Sequence, residues 1–215
     1  MAFRIHDRTK IIPATEQHLP AIAELAGTIW RACYPGIISH AQIEYMLARM
    51  YALDTLREEL HSQRIRYYVL LAENKPTGFA SYGHTPEPNV MKLHKLYVIP
   101  EWHGHGLGSL LLRHIEGEVC VAGAHRLVLS VNKRNSQAIT AYKQNGFVIT
   151  ESVVTDIGGG FVMDDYVMAK ELTTNSAAQD RDYGVSPSGR VGLIMDPAPC
   201  GRVVPEYFPW YADRK

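Results

Sequence analysis

The feature of this sequence that most constrains its fold is a glycine-rich turn between a strand-like segment and a helix-like segment. Residues 93–98 are large or β-branched, in the apolar and polar mixture of a half-buried strand. Pro100 ends that strand, because proline has no N–H to donate to a neighbouring strand. Glycines occupy alternate positions of residues 104–108, and apolar residues then recur at helical spacing over residues 107–119. The pattern predicts strand, turn and amphipathic helix.

This arrangement suits a phosphate group at the start of the helix. The first turn of a helix has N–H groups without intrahelical partners and carries the positive end of the helix dipole. Glycines add no Cβ atom that would hold an anion away, so a pyrophosphate is the expected ligand. A Rossmann motif is disfavoured, because the glycine spacing is wrong and residues 119–135 contain no acidic side chain. A P-loop is disfavoured because no Lys-Ser or Lys-Thr pair follows the glycines.

Two motifs resemble those of the GNAT superfamily of N-acetyltransferases. His103, Gly106 and Gly108 match its motif A, Gln/Arg-x-x-Gly-x-Gly/Ala, with histidine in place of Gln or Arg. Residues 135–147 match its motif B, Asn-x-x-Ala-x-x-x-Tyr-x-x-x-Gly-Phe, and their distance behind motif A also fits the family. The resemblance extends over residues 11–172, which is most of the chain.

The resemblance implies a fold of the α/β (α+β) class. In the GNAT fold a mixed, mostly antiparallel central sheet has helices on both faces, and two parallel strands splay apart to admit the pantetheine arm. Residues 1–172 are expected to form this domain. Residues 173–215 contain five prolines and no sustained periodicity. They are expected to be a poorly ordered or docked tail.

Local patterns place the other elements. Thr15 and Ser39 are predicted N-caps of two helices, and a third helix is expected over residues 54–60. A turn is predicted over residues 74–78. Gly117 lies inside the helix after motif A and is expected to mark close packing. The further predicted strands are residues 10–14, 65–71, 79–83, 127–131, 147–155 and 161–169.

The resemblance also implies an activity. The protein would move an acetyl group from acetyl-coenzyme A to a primary amine by direct attack. Tyr142 occupies the position of the family's general acid, and a phenol of pKa about 10 can donate to a thiolate whose conjugate acid is near about 8.5. The backbone amide of Tyr97 or Val98 would stabilise the oxyanion. The residues expected to bind acetyl-coenzyme A are Tyr97, Val98, His103, Gly104, His105, Gly106, Leu107, Gly108, Ser109 and Asn135.

Several side chains are candidates for the base that deprotonates the attacking amine. His94 lies on the strand before the glycine turn, and Glu44 lies in the second helix. Asp164 and Asp165 lie on the last predicted strand. The role of Asn135 is open between contacting the cofactor and capping its own helix.

The acceptor pocket is expected near the segment between the first two helices, which lines that site in the family. Tyr34, His40 and Glu44 are therefore candidate pocket residues, together with Trp30 and Tyr45. Aromatic residues at helical spacing also suit an ordinary core, so that alternative is open for each of them.

The acceptor itself is expected to be a small cationic amine. Glu44, Asp164 and Asp165 could form an acidic pocket that attracts such an amine. Peptide N-termini, amino acids and aminoglycosides are alternatives, because acceptor sites vary within one fold. The stretches that resemble the polyamine-acetylating branch of the superfamily are residues 97–98, 131–135 and 165–170.

Composition adds bounds on partners and location. The chain has 215 residues, with 22 basic and 22 acidic side chains, so its charge gives no reason to expect a nucleic acid or a membrane. Three dispersed cysteines without a C-x-x-C pair, and no run of about 18 apolar residues, fit the cytoplasm. A homodimer is expected because family members often dimerise.

Two other hypotheses are weaker. His103 and His105 invite a metal site, but no Cys or carboxylate completes a ligand set, so we expect no metal. The domain could instead bind acyl-coenzyme A without turnover, as a sensor or an interaction module. A tyrosine at position 142 argues against this, because binding alone does not need a proton donor.

Overall fold

A computed structural model describes residues 8–173 of the chain. The predicted tail therefore lies almost entirely outside the described residues. One seven-stranded sheet has the order β1-β2-β3-β4-β5-β7-β6, and every neighbouring pair is antiparallel except β4 with β5. The strands are β1 Thr9–Pro13, β2 Ile65–Ala72, β3 Lys75–His84, β4 Val90–Val98, β5 Arg126–Asn132, β6 Val148–Gly158 and β7 Phe161–Glu171.

Helices cover both faces of the sheet, which confirms the predicted fold class. On one face, side chains such as Ile22, Trp30 and Leu56 pack against Phe79 of β3. On the other face, Leu111 and Ile115 pack against the far side of β4 and β5. The helices are α1 Leu19–Cys33, α2 His40–Met50, α3 Leu53–His61, α4 Leu107–Val121 and α5 Ser136–Gln144. Short 3₁₀ turns at Glu16–His18 and Pro100–Trp102 precede α1 and the glycine loop.

The helix starts follow from their capping residues. Ser39 Oγ accepts a hydrogen bond from the Gln42 backbone N–H at 3.2 Å, and Asn135 Oδ1 accepts one from the Ala138 N–H at 3.1 Å. Thr15 precedes the 3₁₀ turn before α1, and the N-cap of α1 is His18, so the prediction that Thr15 caps this helix was wrong. The Ser39 and Asn135 caps each satisfy a backbone donor that the helix itself leaves without a partner.

The turn between β2 and β3 is tighter than the sequence predicted. Glu73 and Asn74 form it with positive φ angles of 52° and 61°, as a two-residue hairpin turn requires. Pro76 and Gly78 therefore belong to β3, and the prediction of a turn over residues 74–78 was wrong. Gly78 is needed in the strand, since an added Cβ would lie 2.5 Å from the Tyr97 carbonyl oxygen.

The parallel pair β4 and β5 separates part-way along its length. The two strands pair only from Val90 with Arg126 to Leu93 with Leu129. On the other side of β4, Ser81 pairs with Lys95 while its neighbour Tyr82 pairs with Leu93, which leaves His94 as the extra residue of a β-bulge. A bulge bends its strand and increases the local twist. β4 thus turns away from β5 at His94, and a V-shaped opening follows.

Gly117 does not mark close packing, contrary to the prediction. An added Cβ at Gly117 would meet no atom within 4 Å. The glycine therefore only lowers the helix propensity of α4.

We predict that Gly117→Ala raises the free energy of unfolding by about 1 kcal/mol, because alanine loses less backbone entropy in a helix. Gly78→Ala is the matched opposite case and should lower it, because its Cβ would clash with the Tyr97 carbonyl. Urea unfolding of the full chain followed by circular dichroism measures both. Destabilisation by Gly117→Ala would contradict the described environment of α4.

Candidate active site

The opening between β4 and β5 is a cleft of about 660 Å³ that reaches from α1 and α2 to α4 and α5. It brings together most of the residues that the sequence predicted. Those that line it are Trp30, Tyr34, His94, Tyr97, Val98, His103, Gly104, Gly106, Leu107, Gly108, Ser109, Asn135, Tyr142 and Asp165.

Five candidates lie outside this lining, namely His40, Glu44, Tyr45, His105 and Asp164. The His40 side chain is 81% exposed, and both Glu44 oxygens accept hydrogen bonds at 2.8 Å from Arg31 on the neighbouring helix. The ring of His105 lies beside Trp102. Tyr45 donates to the Ile157 carbonyl at 2.8 Å, which directs its hydroxyl toward the β6–β7 hairpin.

The glycine loop forms an open cradle at the start of α4. Gly106 is the N-cap with φ of +76°, and no side chain caps the helix there. Gly104 also has positive φ, at +78°, and an added Cβ at Gly104 or Gly108 would meet no protein atom within 4 Å. Unpaired helix N–H groups, the helix dipole and this free space together fit a pyrophosphate.

His103, which replaces the family's Gln or Arg, fastens the cradle to β4. Its Nε2 lies 2.8 Å from the Val98 carbonyl oxygen, so this nitrogen carries the proton and donates it. On the far side, Asn145 Nδ2 donates to Ser109 Oγ at 3.1 Å and joins the end of α5 to the first turn of α4. The two contacts hold both walls of the cleft around the start of α4.

The backbone of β4 presents a donor to the cleft beyond the bulge. The Ile99 N–H donates to the Thr77 carbonyl of the β3 side at 2.9 Å, and the Tyr97 carbonyl also faces β3. Backbone groups of successive residues in a strand point to opposite sides. The N–H of Val98 therefore faces the cleft, and that of Tyr97 faces β3.

Tyrosine hydroxyls surround the centre of the cleft. The Tyr34 and Tyr97 hydroxyl oxygens are 3.5 Å apart, and the Tyr34 ring stacks on Trp30 with centroids 4.3 Å apart. Tyr142 contributes a third phenol from α5, held against Phe147. Desolvation raises the pKa of Tyr142 well above its ordinary value, with a smaller contribution from Tyr97. The phenol is therefore protonated throughout the neutral range.

Asp165 is the carboxylate of the cleft. Its side chain lies on β7 opposite Asn132, it is 6% exposed, and its Oδ1 is buried without a hydrogen-bond partner among the described residues. Burial, with a smaller contribution from the neighbouring Asp164, raises the pKa of Asp165 to about 6. Lys92 and Lys133 oppose this rise. A carboxylate with this pKa is ionised at neutral pH and accepts a proton more readily than an ordinary one.

His94 has the opposite electrostatic setting. Burial lowers its pKa well below the ordinary value, and the adjacent charges of Lys92 and Lys95 lower it further. The ring lies over Gly83, where an added Cβ would come within 3.2 Å of His94 Nε2. The lowered pKa makes His94 a weaker base than an ordinary histidine, whereas the raised pKa makes Asp165 a stronger base than an ordinary carboxylate.

The expected pocket of three carboxylates does not form. Glu44 is engaged by Arg31 outside the cleft, and Asp164 is exposed and paired with Lys133. Successive residues of a strand face opposite sides, which separates Asp164 from Asp165. Of the three, Asp165 alone lines the cleft.

The sequence analysis did not identify Lys92, Met46, Met50 and Met163, which also line the cleft and belong with Asp165 to the part called the acceptor half. A signal existed for two of them. Lys92 precedes His94 by two positions, and Met163 precedes Asp165 by two, so each shares a strand face with a residue already considered. The methionines of α2 carried no comparable signal, because helical spacing alone suits an ordinary core.

A family model described as "Acetyltransferase (GNAT) family" matches residues 25–147, more than half of the chain. The chain belongs to the GNAT family. An uncharacterized N-acetyltransferase of Mycobacterium tuberculosis is 34% identical over 154 residues, covering 72% of this chain and 96% of that protein. The spermidine N(1)-acetyltransferase of Thermoplasma acidophilum is 27% identical over 152 residues, covering 69% of this chain and 91% of that protein.

A solved GNAT structure has the same fold. The PaiA N-acetyltransferase of Thermoplasma acidophilum, crystallised with coenzyme A, superposes with a TM-score of 0.67 and 26% identity. The match covers 76% of this chain and 98% of that chain. This GNAT protein is accordingly an acyltransferase that uses acetyl-coenzyme A as co-substrate.

Two features are absent from residues 8–173. Within that range, no helix is long and apolar enough to cross a membrane. Within the same range, no three His, Cys, Asp or Glu side chains are grouped so that they could hold a metal ion.

We predict that Gly106→Ala weakens coenzyme A binding about tenfold, because Gly106 has a φ of +76° and alanine is strained in the backbone conformation that shapes the cradle. Gly117→Ala, the same change on the same helix away from the cleft, serves as the control and should leave the affinity unchanged. Isothermal titration calorimetry measures both dissociation constants. Equal affinities for the two variants would argue against the cradle as the binding site.

Proposed function

We propose that this GNAT enzyme transfers the acetyl group of acetyl-coenzyme A directly to a primary amine of a small cationic molecule, within the cleft between β4 and β5. The observation that carries this proposal is Asp165. A buried carboxylate with an unused oxygen lies in the same cleft as an uncapped, glycine-lined helix start. One cleft can then hold both the acyl donor and the group that activates the amine.

Acetyl-coenzyme A binds with its pyrophosphate at the start of α4. The backbone N–H groups of Leu107, Gly108 and Ser109 belong to the first helical turn and donate to the phosphate oxygens. The pantetheine arm runs between the separated strands, where β4 beyond Leu93 has no partner on the β5 side. The coenzyme A complex of the PaiA relative supports this placement of the donor.

The thioester carbonyl is directed at the β4 backbone. The Val98 N–H faces the cleft and donates to the carbonyl oxygen, more strongly as that oxygen becomes an oxyanion. The sequence left Tyr97 and Val98 as alternatives for this donor. The contacts of Ile99 and Tyr97 with β3 favour Val98.

Asp165 accepts the proton of the acceptor ammonium. The neutral nitrogen then attacks the thioester carbon, and the C–N bond forms as the carbonyl electrons move to oxygen. When the oxyanion collapses, the C–S bond breaks and coenzyme A leaves as a thiolate. Tyr142 donates its hydroxyl proton to that sulfur, and the nitrogen, which is cationic after the attack, gives its extra proton to the Tyr142 oxygen as the amide forms. Because desolvation disfavours a phenolate at this position, donation accompanies C–S cleavage and does not precede it.

The acceptor class draws support from a relative and from the cleft. The relative named as a spermidine N(1)-acetyltransferase supports a polyamine or another small cationic amine. Asp165 supplies the negative charge that attracts one ammonium group. A cytoplasmic location and a homodimer are part of the same proposal. Cys33 and Cys120 are free thiols, as the cytoplasm favours.

We predict that Asp165→Asn lowers kcat/KM about 100-fold or more, because an amide cannot accept the amine proton. In the wild type, kcat/KM should fall as the pH drops below about 6, where Asp165 becomes protonated and inactive as a base. The variant should lose this fall and keep only the ionisation of the amine. Thiol release measured between pH 5 and 9 gives both profiles.

The control for this experiment is Asp164→Asn, a neighbouring carboxylate that is exposed and paired with Lys133. Its kcat/KM above the fall should stay within about twofold of the wild type, and the fall itself should remain but move to a slightly lower pH, because Asp164 raises the pKa of Asp165. If the fall near pH 6 persisted in Asp165→Asn, the base would be another group.

We predict that Tyr142→Phe lowers kcat by roughly tenfold or more and leaves the dissociation constant of coenzyme A nearly unchanged, because only the proton donor is removed. Tyr166→Phe is the control, since Tyr166 lies on β7 and packs beside Lys133 outside the cleft lining. Steady-state thiol release and calorimetry separate the two effects. A full wild-type rate for Tyr142→Phe would remove this residue from the mechanism.

A further inference from the structure

The charged side chains in the acceptor half of the cleft can pair with a single cationic group of a substrate. Of the described residues that line the cleft, Asp165 is the one carboxylate. Lys92 lines the same cleft and lowers the pKa of Asp165, so a positive charge already acts on the carboxylate. Lys95 also lines the cleft, but its Nζ lies 2.5 Å from Glu59 Oε2. The charge of Lys95 is therefore balanced by Glu59, which is not part of the cleft lining.

A polyamine fits this distribution poorly. A polyamine has further ammonium groups besides the one that reacts. Each of them would move from water into the cleft and find no carboxylate partner there, and burying an unpaired charge is costly. Lys92 would also repel a second cation near Asp165. An extended polyamine needs several acidic groups along its length, and the described lining provides one.

The walls around Asp165 are apolar and aromatic. Trp30 is 2% exposed and stacks on Tyr34 with an angle of 7° between the rings. Met46 and Met50 approach from α2, and Met163 shares its strand face with Asp165. Aromatic rings and flexible thioethers make favourable contacts with apolar and aromatic ligands.

Met163 is held at the cleft by a hydrogen-bonded neighbour. Gln42 of α2 donates through Nε2 to the Val162 carbonyl at 2.8 Å and lies 3.6 Å from the Met163 sulfur. This contact joins α2 to β7, the two elements that supply the methionines of the wall. The apolar wall is thus a fixed part of the fold.

From this geometry we infer that the preferred acceptor is a primary monoamine on an apolar body with an aromatic ring, and that polyamines are poor acceptors. This inference rests on the proposed function and narrows its substrate class. The amino group of the acceptor pairs with Asp165. Its body lies against the Trp30–Tyr34 stack and the methionines, where no second charge is required.

Two matched pairs of amines test the wild-type enzyme. Pentylamine and cadaverine differ by one terminal ammonium group, and phenethylamine and ethylamine differ by one aromatic ring. With acetyl-coenzyme A and thiol detection, kcat/KM should be about tenfold or more higher for pentylamine than for cadaverine. It should also be about tenfold or more higher for phenethylamine than for ethylamine. Spermidine should rank below both preferred amines.

The outcomes separate this inference from the proposed function. Cadaverine or spermidine acetylated as well as pentylamine would overturn the inference and leave the enzyme an amine acetyltransferase. No thiol release from any of these amines, with coenzyme A still bound in calorimetry, would overturn both.

A charge added to the wall tests the same inference by a gain of function. Met163→Glu places a second carboxylate on the strand face of Asp165, and the ratio of kcat/KM for cadaverine over pentylamine should rise about tenfold. Val162→Glu adds the same charge to the adjacent, 52% exposed position and should leave the ratio unchanged. The ratio cancels any uniform loss of activity or folded protein. An unchanged ratio in Met163→Glu would contradict the inference.

Discussion

The active site depends on the point where β4 and β5 stop sharing hydrogen bonds. Backbone N–H and C=O groups in a protein interior need partners, and a parallel pair of strands normally supplies them along its whole length. Here the extra residue His94 bends β4, and the pairing ends at Leu93 with Leu129. The groups of β4 beyond the bulge are left to face a cleft. A thioester and its pantetheine arm can satisfy donors that the sheet does not.

The separation of β4 from β5 also explains why the carboxylate of Asp165 lies buried in the cleft. β5 continues past the bulge and stays paired with β7 as far as Asn132 with Asp165. β6 supports Asp165 from the other side through Val153, so the side chain is presented by a rigid strand. Burial raises its pKa to about 6, near the working range of a general base. β5 is thus paired with β7 on one side and separates from β4 on the other. As a result, the glycine cradle at the start of α4 and Asp165 lie in one cleft.

Much of the fold could be predicted from the sequence because its signals are local. The glycines around Gly106, the cap at Ser39 and the helical spacing after the glycine loop each act within a few residues. The bulge at His94 could not be predicted, since it depends on the register of β4 against β3. The turn at Glu73 and Asn74 was predicted too long because Pro76 and Gly78 resemble turn residues.

The candidate site was predicted less completely than the fold, because it depends on contacts between elements that are distant in sequence. Motif residues such as Gly108 and Tyr142 line the cleft, as the resemblance to the GNAT motifs implied. The prediction of an acidic pocket was wrong, because Glu44 forms an ion pair with Arg31 and Asp164 forms one with Lys133. Neither ion pair could be predicted from the local sequence. Which carboxylate enters the cleft is decided by contacts between distant elements.

The central claim, direct transfer within one cleft, has a chemical competitor in Cys33, whose thiol also lines that cleft. Burial raises the pKa of Cys33, with a smaller contribution from Glu101, so little thiolate is available near pH 7. The most direct test is initial-rate kinetics with both substrates varied, together with mass spectrometry of enzyme mixed with acetyl-coenzyme A alone. Direct transfer predicts intersecting double-reciprocal lines and unmodified enzyme. Parallel lines and an acetylated Cys33 would contradict it.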